Sequence, residues 1–442
     1  MKKRIFTLLL TTATVAVGVG AQNPIISDQF TADPTARVFD GKLYLYPSHD
    51  IPSPIERLKE WFCMADYHVF SSTNLTDWTD HGVILTQNNV PWVQPDSYAM
   101  WAPDCVVKDG TYYFYFPSAP KGGRGFAIGV ATADTPVGPF TPQPEPIKGV
   151  TGIDPCVLVD KDGEAYIYWS GRGMSMAKLK PNMVELATEP KQVEGLPAGF
   201  KEGPYVFERG GKYYFTYPWV QDKTENLAYA MGDSPRGPFT FQGLIMDESP
   251  VGCWTNHHSI TEYNGQWYLF YHHNDYSPRF DKNRSARVDS LSFNADGTIK
   301  KVKATLRGVG ITDARSKIQL DRYSWLAPYG AYIDYLNPAN TFEGWQLTFN
   351  RTDAGARYSD VEFGTHPVRL LKARVRTDKG GTLTVRKGGE KGDIIARLSV
   401  KPTGGAWVEA RAIPLLSVTG RQELHVSLTE GQAVSVDWIT FE

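Results

Sequence analysis

The sequence is short of cysteine, of charge imbalance and of long apolar runs, and each shortage excludes something. Its 442 residues include four cysteines, Cys63, Cys105, Cys156 and Cys253. They stand too far apart for a zinc-finger arrangement. A chain of this length buries enough core to do without disulfides, so four buried free thiols are expected. The formal net charge is −2, which gives no reason to expect a nucleic acid or an anionic membrane as partner. Beyond the N-terminus no apolar run is long enough to span a bilayer. No segment carries a long helical period, which points to an all-β chain.

The N-terminal stretch "MKKRIFTLLLTTATVAVGVGAQN" reads as a targeting segment. Basic residues lead into an apolar stretch that closes on the small residues Val19, Gly20 and Ala21. This is the pattern of a secretory signal peptide, with cleavage expected after Ala21 and a secreted or periplasmic product.

Aromatic residues are plentiful, at 13% of the chain, and they recur in a pattern. "DGKLYLYPS", "DGTYYFYFPS", "DGEAYIYWSG", "GGKYYFTYPW" and "NGQWYLFYHH" are five turns followed by alternating aromatic and apolar residues. Such a turn between alternating runs is a strong hairpin signal. The turn glycines Gly41, Gly110, Gly163, Gly211 and Gly265 are 69, 53, 48 and 54 residues apart. Spacing of that size holds about four short strands per repeat. A ring of such sheets buries faces that one sheet cannot, so the expected fold is a five-bladed β-propeller. A series of β-sandwiches would give shorter, less regular spacing.

Upstream of each turn lies the first strand of its repeat: "TADPTARVF", "WAPDCVVK", "GIDPCVLV", "KEGPYVFE" and "NHHSITEY". In a propeller these strands line the central channel, so Asp33, Asp104, Asp154, Glu202 and His258 approach one axis from separate blades. Clustered carboxylates repel and their burial is costly. They are tolerated where chemistry needs one acid protonated and another ionised, as glycoside hydrolysis does. Asp104 is set aside, because Asp also favours turns.

Three of these stretches carry a resemblance. Ala32-Asp33-Pro34, Ile153-Asp154-Pro155 and Glu202-Gly203-Pro204 resemble the acidic motifs of glycoside hydrolase family 43, as do "WAPD" from Trp101 and "RSARVDSLSFNADGTI" from Arg284. The resemblance spans about residues 24–314. It implies a five-bladed propeller and an inverting glycosidase, with Asp33 as general base, Glu202 as general acid, and Asp154 orienting Glu202 and raising its pKa. It also implies Trp101 and Arg287 as sugar-binding residues, and a central hydrated cation, often calcium, met through water by His258. No cofactor is required for the reaction. Related sucrose-cleaving propellers retain configuration and use Asn-Asp-Pro-Asn and Glu-Cys-Pro motifs, neither of which occurs here.

The last part of the chain has a different texture. "LLKARVRTDKGGTLTVRKGG", "GAWVEARAIPL", "RQELHVSLTE" and "AVSVDWITFE" are alternating strands divided by glycine-rich turns, the pattern of a β-sandwich. The stretch resembles family 6 carbohydrate-binding modules in "GGAWVEA" and "VSVDWITF". That resemblance implies Trp407 as a stacking residue. It puts structural calcium in doubt, since Gln319 and Asp321 stand where paired acids are usual, although Asp437 is present.

The expected organisation is a signal peptide at 1–21, a propeller at 22–314 and a sandwich module at 315–442. The resemblance implies release of terminal xylosyl or arabinofuranosyl residues from plant-type polysaccharides. An endo-arabinanase, a galactan-active enzyme and a non-catalytic sugar-binding propeller remain alternatives. The long first repeat, with "SHDIPSPIERLKEWFCMADYHVF", favours an enclosed, exo-acting pocket.

Overall fold

The computed structural model describes residues 23–442; the signal-peptide expectation lies outside them. Among the described residues no helix is long and apolar enough to cross a membrane.

The hairpin turns form where the sequence places them. Asp40-Gly41, Asp109-Gly110, Gly210-Gly211 and Asn264-Gly265 all have positive φ at both central residues. That is the turn whose twist matches two antiparallel strands. The third repeat differs. Its loop is longer, closed by Asp160 N–H to the Glu164 carbonyl and Gly163 N–H to the Asp160 carbonyl, both within 2.9 Å.

Five antiparallel sheets follow. Four have four strands in sequential order, and their inner strands are Ala32–Phe39, Asp104–Lys108, Ile153–Val159 and Tyr205–Arg209. The fifth has three, His258–Tyr263, Gln266–His273 and Ser285–Leu291. Its outer edge is taken up by the segment that leads into the first blade. Ile25 N–H reaches the Ala286 carbonyl and Thr31 N–H the Arg284 carbonyl, both at 2.9 Å. This covers an edge that would otherwise invite pairing.

Side chains of the inner strands tie each blade to the next. Thr35 donates to the Pro103 carbonyl at 2.7 Å, and Asp104 accepts the Val157 N–H at 2.7 Å. The Val206 N–H meets Cys156 Sγ at 3.3 Å, and His258 meets Thr216 at 2.6 Å. Ser259 closes the ring, donating to the Pro34 carbonyl and accepting the Ala36 N–H. Below the channel mouth Arg37 holds Asp104 through both carboxylate oxygens and lies 4.9 Å over the Tyr205 ring. Asp104 is therefore a buried link between blades. All four cysteines are buried and unpaired.

The C-terminal sandwich packs two sheets around one apolar core that includes Leu347, Phe349, Val375, Leu383, Val426 and Phe441. Its first strand, Thr312–Asp313, pairs with Val361 and Glu362. Tyr276 of the propeller stacks on Trp345 of the sandwich, with centroids 4.6 Å apart.

Candidate active site

Asp33, Asp154 and Glu202 meet at one cavity of about 360 Å³ at the channel mouth. The local backbone explains how. Asp33 and Asp154 each precede a proline and hold positive φ, 45° and 57°. The strand register slips there, between Ala32 and Thr35 and opposite Tyr168–Ser170. A bulge of this kind turns a side chain out of the sheet, and the strained backbone marks a site fixed by its surroundings. In Glu202-Gly203-Pro204 the glycine takes the positive φ, 51°. The third acid therefore comes one residue earlier and enters the cavity from the segment just ahead of its strand, Tyr205–Arg209.

The environments of the three acids differ. The Asp33 carboxylate accepts from Arg284 at 2.9 Å and from Ser48 at 2.6 Å. His257 and His272 stand 3.5 Å away. Burial would raise Asp33, but Arg284, the two histidines and Ser48 outweigh it and bring it down to about 2. His272 Nδ1 accepts the Asp33 N–H at 3.0 Å, so its Nε2 carries the proton toward Thr255. Arg284 is itself held by Asp50 through both carboxylate oxygens at 2.9 Å.

Asp154 and Glu202 move the other way. Burial, then Glu202 and Asp33, push Asp154 well above the usual carboxylate range. It accepts the Gly203 N–H at 3.1 Å, which fixes the peptide next to Glu202. Glu202 is also pushed well up, by burial first and by Glu225 second. One acid is thus held ionised and another protonated in the same cavity, the pairing that acid–base cleavage of an acetal needs.

Aromatic rings wall the cavity. Trp101 lies half-buried between Phe62 and Phe126, at centroid distances of 5.9 and 4.5 Å. Trp61, Phe62 and Met64 come from the long first-repeat insertion. The ends of that insertion are pinned by His49 to Asp66 at 2.6 Å and His68 to Asp80 at 3.0 Å. Phe200 and Trp254 form an exposed rim, 5.8 Å apart. Replacing Trp101 by Ala is expected to raise KM about tenfold, about 1.4 kcal/mol, with a smaller change in kcat. Steady-state kinetics on an aryl glycoside would decide this; an unchanged KM assigns the ring to packing alone.

Other residues singled out by the sequence lie elsewhere. Arg287 is buried against Asp275, outside the pocket lining. The arginine at the cavity is Arg284. In an extended strand residues three apart face opposite sides, so only one of the two arginines can face the channel, and the sequence does not say which. His258 is buried below the mouth. Thr216 donates to the Tyr205 carbonyl and so accepts from His258 Nε2. The His258 Nδ1 lone pair is left buried without a partner. In the sandwich, Trp407 lies 5.0 Å from both the Arg374 and Arg376 guanidiniums. Asp321 pairs with Arg322 and Asp437 with Arg374, at 2.7 and 2.6 Å. Arginine charge already neutralises the two acids a structural calcium would use there.

Known proteins resemble this chain along nearly its whole length. The model for glycosyl hydrolases family 43 matches residues 21–299, and that for carbohydrate binding module family 6 matches residues 328–442. The chain is 42% identical over 327 residues to xylosidase/arabinosidase 43A of Humicola insolens, covering 62% of this chain and 98% of that protein. A family 43 β-xylosidase/α-arabinofuranosidase from a compost microbial metagenome, solved with xylotriose in a calcium-free form, is 37% identical with a TM-score of 0.59. The match covers 64% of this chain and 98% of that one. A Bacillus subtilis family 43 arabinoxylan arabinofuranohydrolase, solved with cellotetraose, is 26% identical with a TM-score of 0.57. It covers 97% of this chain and 99% of its own.

Proposed function

The chain belongs to family 43 of the glycosyl hydrolases and is an inverting glycoside hydrolase, and from that premise we propose that it removes single terminal xylosyl or arabinofuranosyl residues from plant-type polysaccharides. The observation that carries the reading is the split environment of the acids. Asp33, fixed as a carboxylate by Arg284, takes the proton of a water on one face of the sugar. Glu202, kept protonated, gives its proton to the leaving oxygen. Asp154 holds the Gly203 peptide and with it the acid. The insertion carrying Trp61 and Phe62 favours an enclosed pocket, hence exo action.

The remaining assignments follow the same reading. The domain boundary falls near residue 314, and the N-terminal stretch directs export. Trp407 is the sandwich residue for sugar stacking, although a sugar there competes with Arg374 and Arg376 for the ring. His258 fits contact with the water shell of a cation such as calcium, since a neutral imidazole is a poor direct ligand for so hard an ion. No step of the reaction needs that ion.

Proton NMR of the first sugar released from an aryl xyloside or arabinofuranoside, before mutarotation, tests the mechanism. The expected anomer is inverted; retention makes Asp33 a nucleophile instead. Product analysis on arabinoxylan should show monosaccharide first, and early oligosaccharides would exclude exo action.

A further inference from the structure

One buried acid near the cavity has no part in the acid–base chemistry of Asp33 and Glu202. Glu225 opens the strand Glu225–Gly232 of blade four and is 0% exposed. Its Oε2 accepts the Asn256 N–H at 2.9 Å. Its Oε1 is buried and meets no N–H or O–H donor. What Glu225 meets is the carboxyl group of Glu202. Leaving a buried acceptor unpaired is costly, and two carboxylates can touch only if a proton lies between them.

We infer that Glu225 is the positioning residue of the proton donor: its Oε1 shares the Glu202 proton and holds that carboxyl group protonated and in place for the leaving oxygen. The inference rests on the reading of Glu202 as general acid. It gives Oε1 a partner, and it explains how two acids lie buried side by side although the nearby Arg284 is bonded to Asp33 and Asp50 and to neither of them. The electrostatics agree. Burial and then Glu225 lead the upward push on Glu202, with Asp33 adding and Arg284 opposing. Burial pushes Glu225 itself up to about 8, with the Asn256 N–H and Arg284 opposing and Asp154 and Asp33 adding. His257, pushed down first by burial, lies against Gly203.

The division of roles differs from that implied by the family resemblance. There, Asp154 both orients the acid and raises its pKa. Here Asp154 bonds the neighbouring peptide, and Glu225 bonds the carboxyl group itself.

The test is Glu225→Gln in the full chain. Its amide N–H would donate to ionised Glu202 and favour that form. The alkaline limb of kcat/KM is then expected to move to lower pH by at least about one unit. A merely structural role would scale the profile down without moving the limb. Carbon-13 NMR of side-chain-labelled glutamate reads the same pair without turnover. The Glu202 midpoint should fall in Glu225→Gln. In Glu202→Gln, where Glu225 gains an N–H donor, the Glu225 midpoint should fall toward the ordinary carboxylate range. Unmoved midpoints in both folded variants overturn the proposal. If Glu225→Gln does not fold, the Glu202→Gln titration alone decides. An unmodified protein that hydrolyses no glycoside, yet shows both shifts, would refute the functional reading and leave the carboxyl pair standing.

Discussion

Asp33→Asn should lower turnover by about 10⁴, the upper end of what a general base contributes, with folding intact. No neighbouring carboxyl group can replace the lost carboxylate. Asp154, Glu202 and Glu225 are all pushed toward the protonated form. Asp50 is committed to Arg284. His257 and His272 are held neutral, but His272 points its lone pair at the Asp33 N–H. The fold should survive because Asp50 continues to neutralise Arg284, which circular dichroism would verify. Azide should restore part of the rate by attacking from the vacated face, giving a glycosyl azide of inverted configuration. A second consequence concerns pH. The pKa of Asp33 lies near 2 in the folded protein, so its carboxylate is present everywhere above that value. The unmodified enzyme should therefore show no acid limb in kcat/KM above about pH 4, until acid unfolding intervenes. An acid limb near pH 5 would mean that some other group is the base. Loss of less than about tenfold in Asp33→Asn would have the same meaning.

The propeller was legible because its signal is local and repeated. A turn ending in glycine followed by alternating aromatics needs only about ten residues to be read, and the repeat supplies one in each blade, as Asp-Gly or Asn-Gly in four and Gly-Gly in the other. The three motif acids were legible for a related reason. Each sits close to a proline at the start of an inner strand, where sequence position and channel position coincide. Arg284, Asp50 and Ser48 were not legible. Their role depends on which face of a strand meets the channel and on contacts between distant parts of the chain, such as Arg284 to Asp33. Arg287 shows the cost of that ambiguity, since a shift of three residues separates the cavity from a buried pair with Asp275. Glu225 was the least legible of all. In "QDKTENLAYA" it looks like one more charge in a surface turn, and only the fold reveals that it is buried against the motif acid of its own blade.

Glu202→Gln should separate substrates by their leaving groups. The variant keeps the shape of the side chain and loses the proton. A sugar alcohol leaves poorly without protonation, so turnover of xylo- or arabino-oligosaccharides should fall by roughly 10²–10⁴. An aryl glycoside with an acidic phenol needs little help, and its rate should fall far less. The alkaline limb should vanish together with the group that sets it. That limb belongs to Glu202 because its folded pKa is raised: the acid is competent below that value and is lost as pH rises through it. The fold should tolerate the change, since the amide introduced by Glu202→Gln can donate to the Glu225 Oε1 that otherwise relies on the shared proton. Equal losses on both substrate types would remove Glu202 from the role of acid. The choice would then pass to Asp154, the other raised carboxyl group lining the cavity.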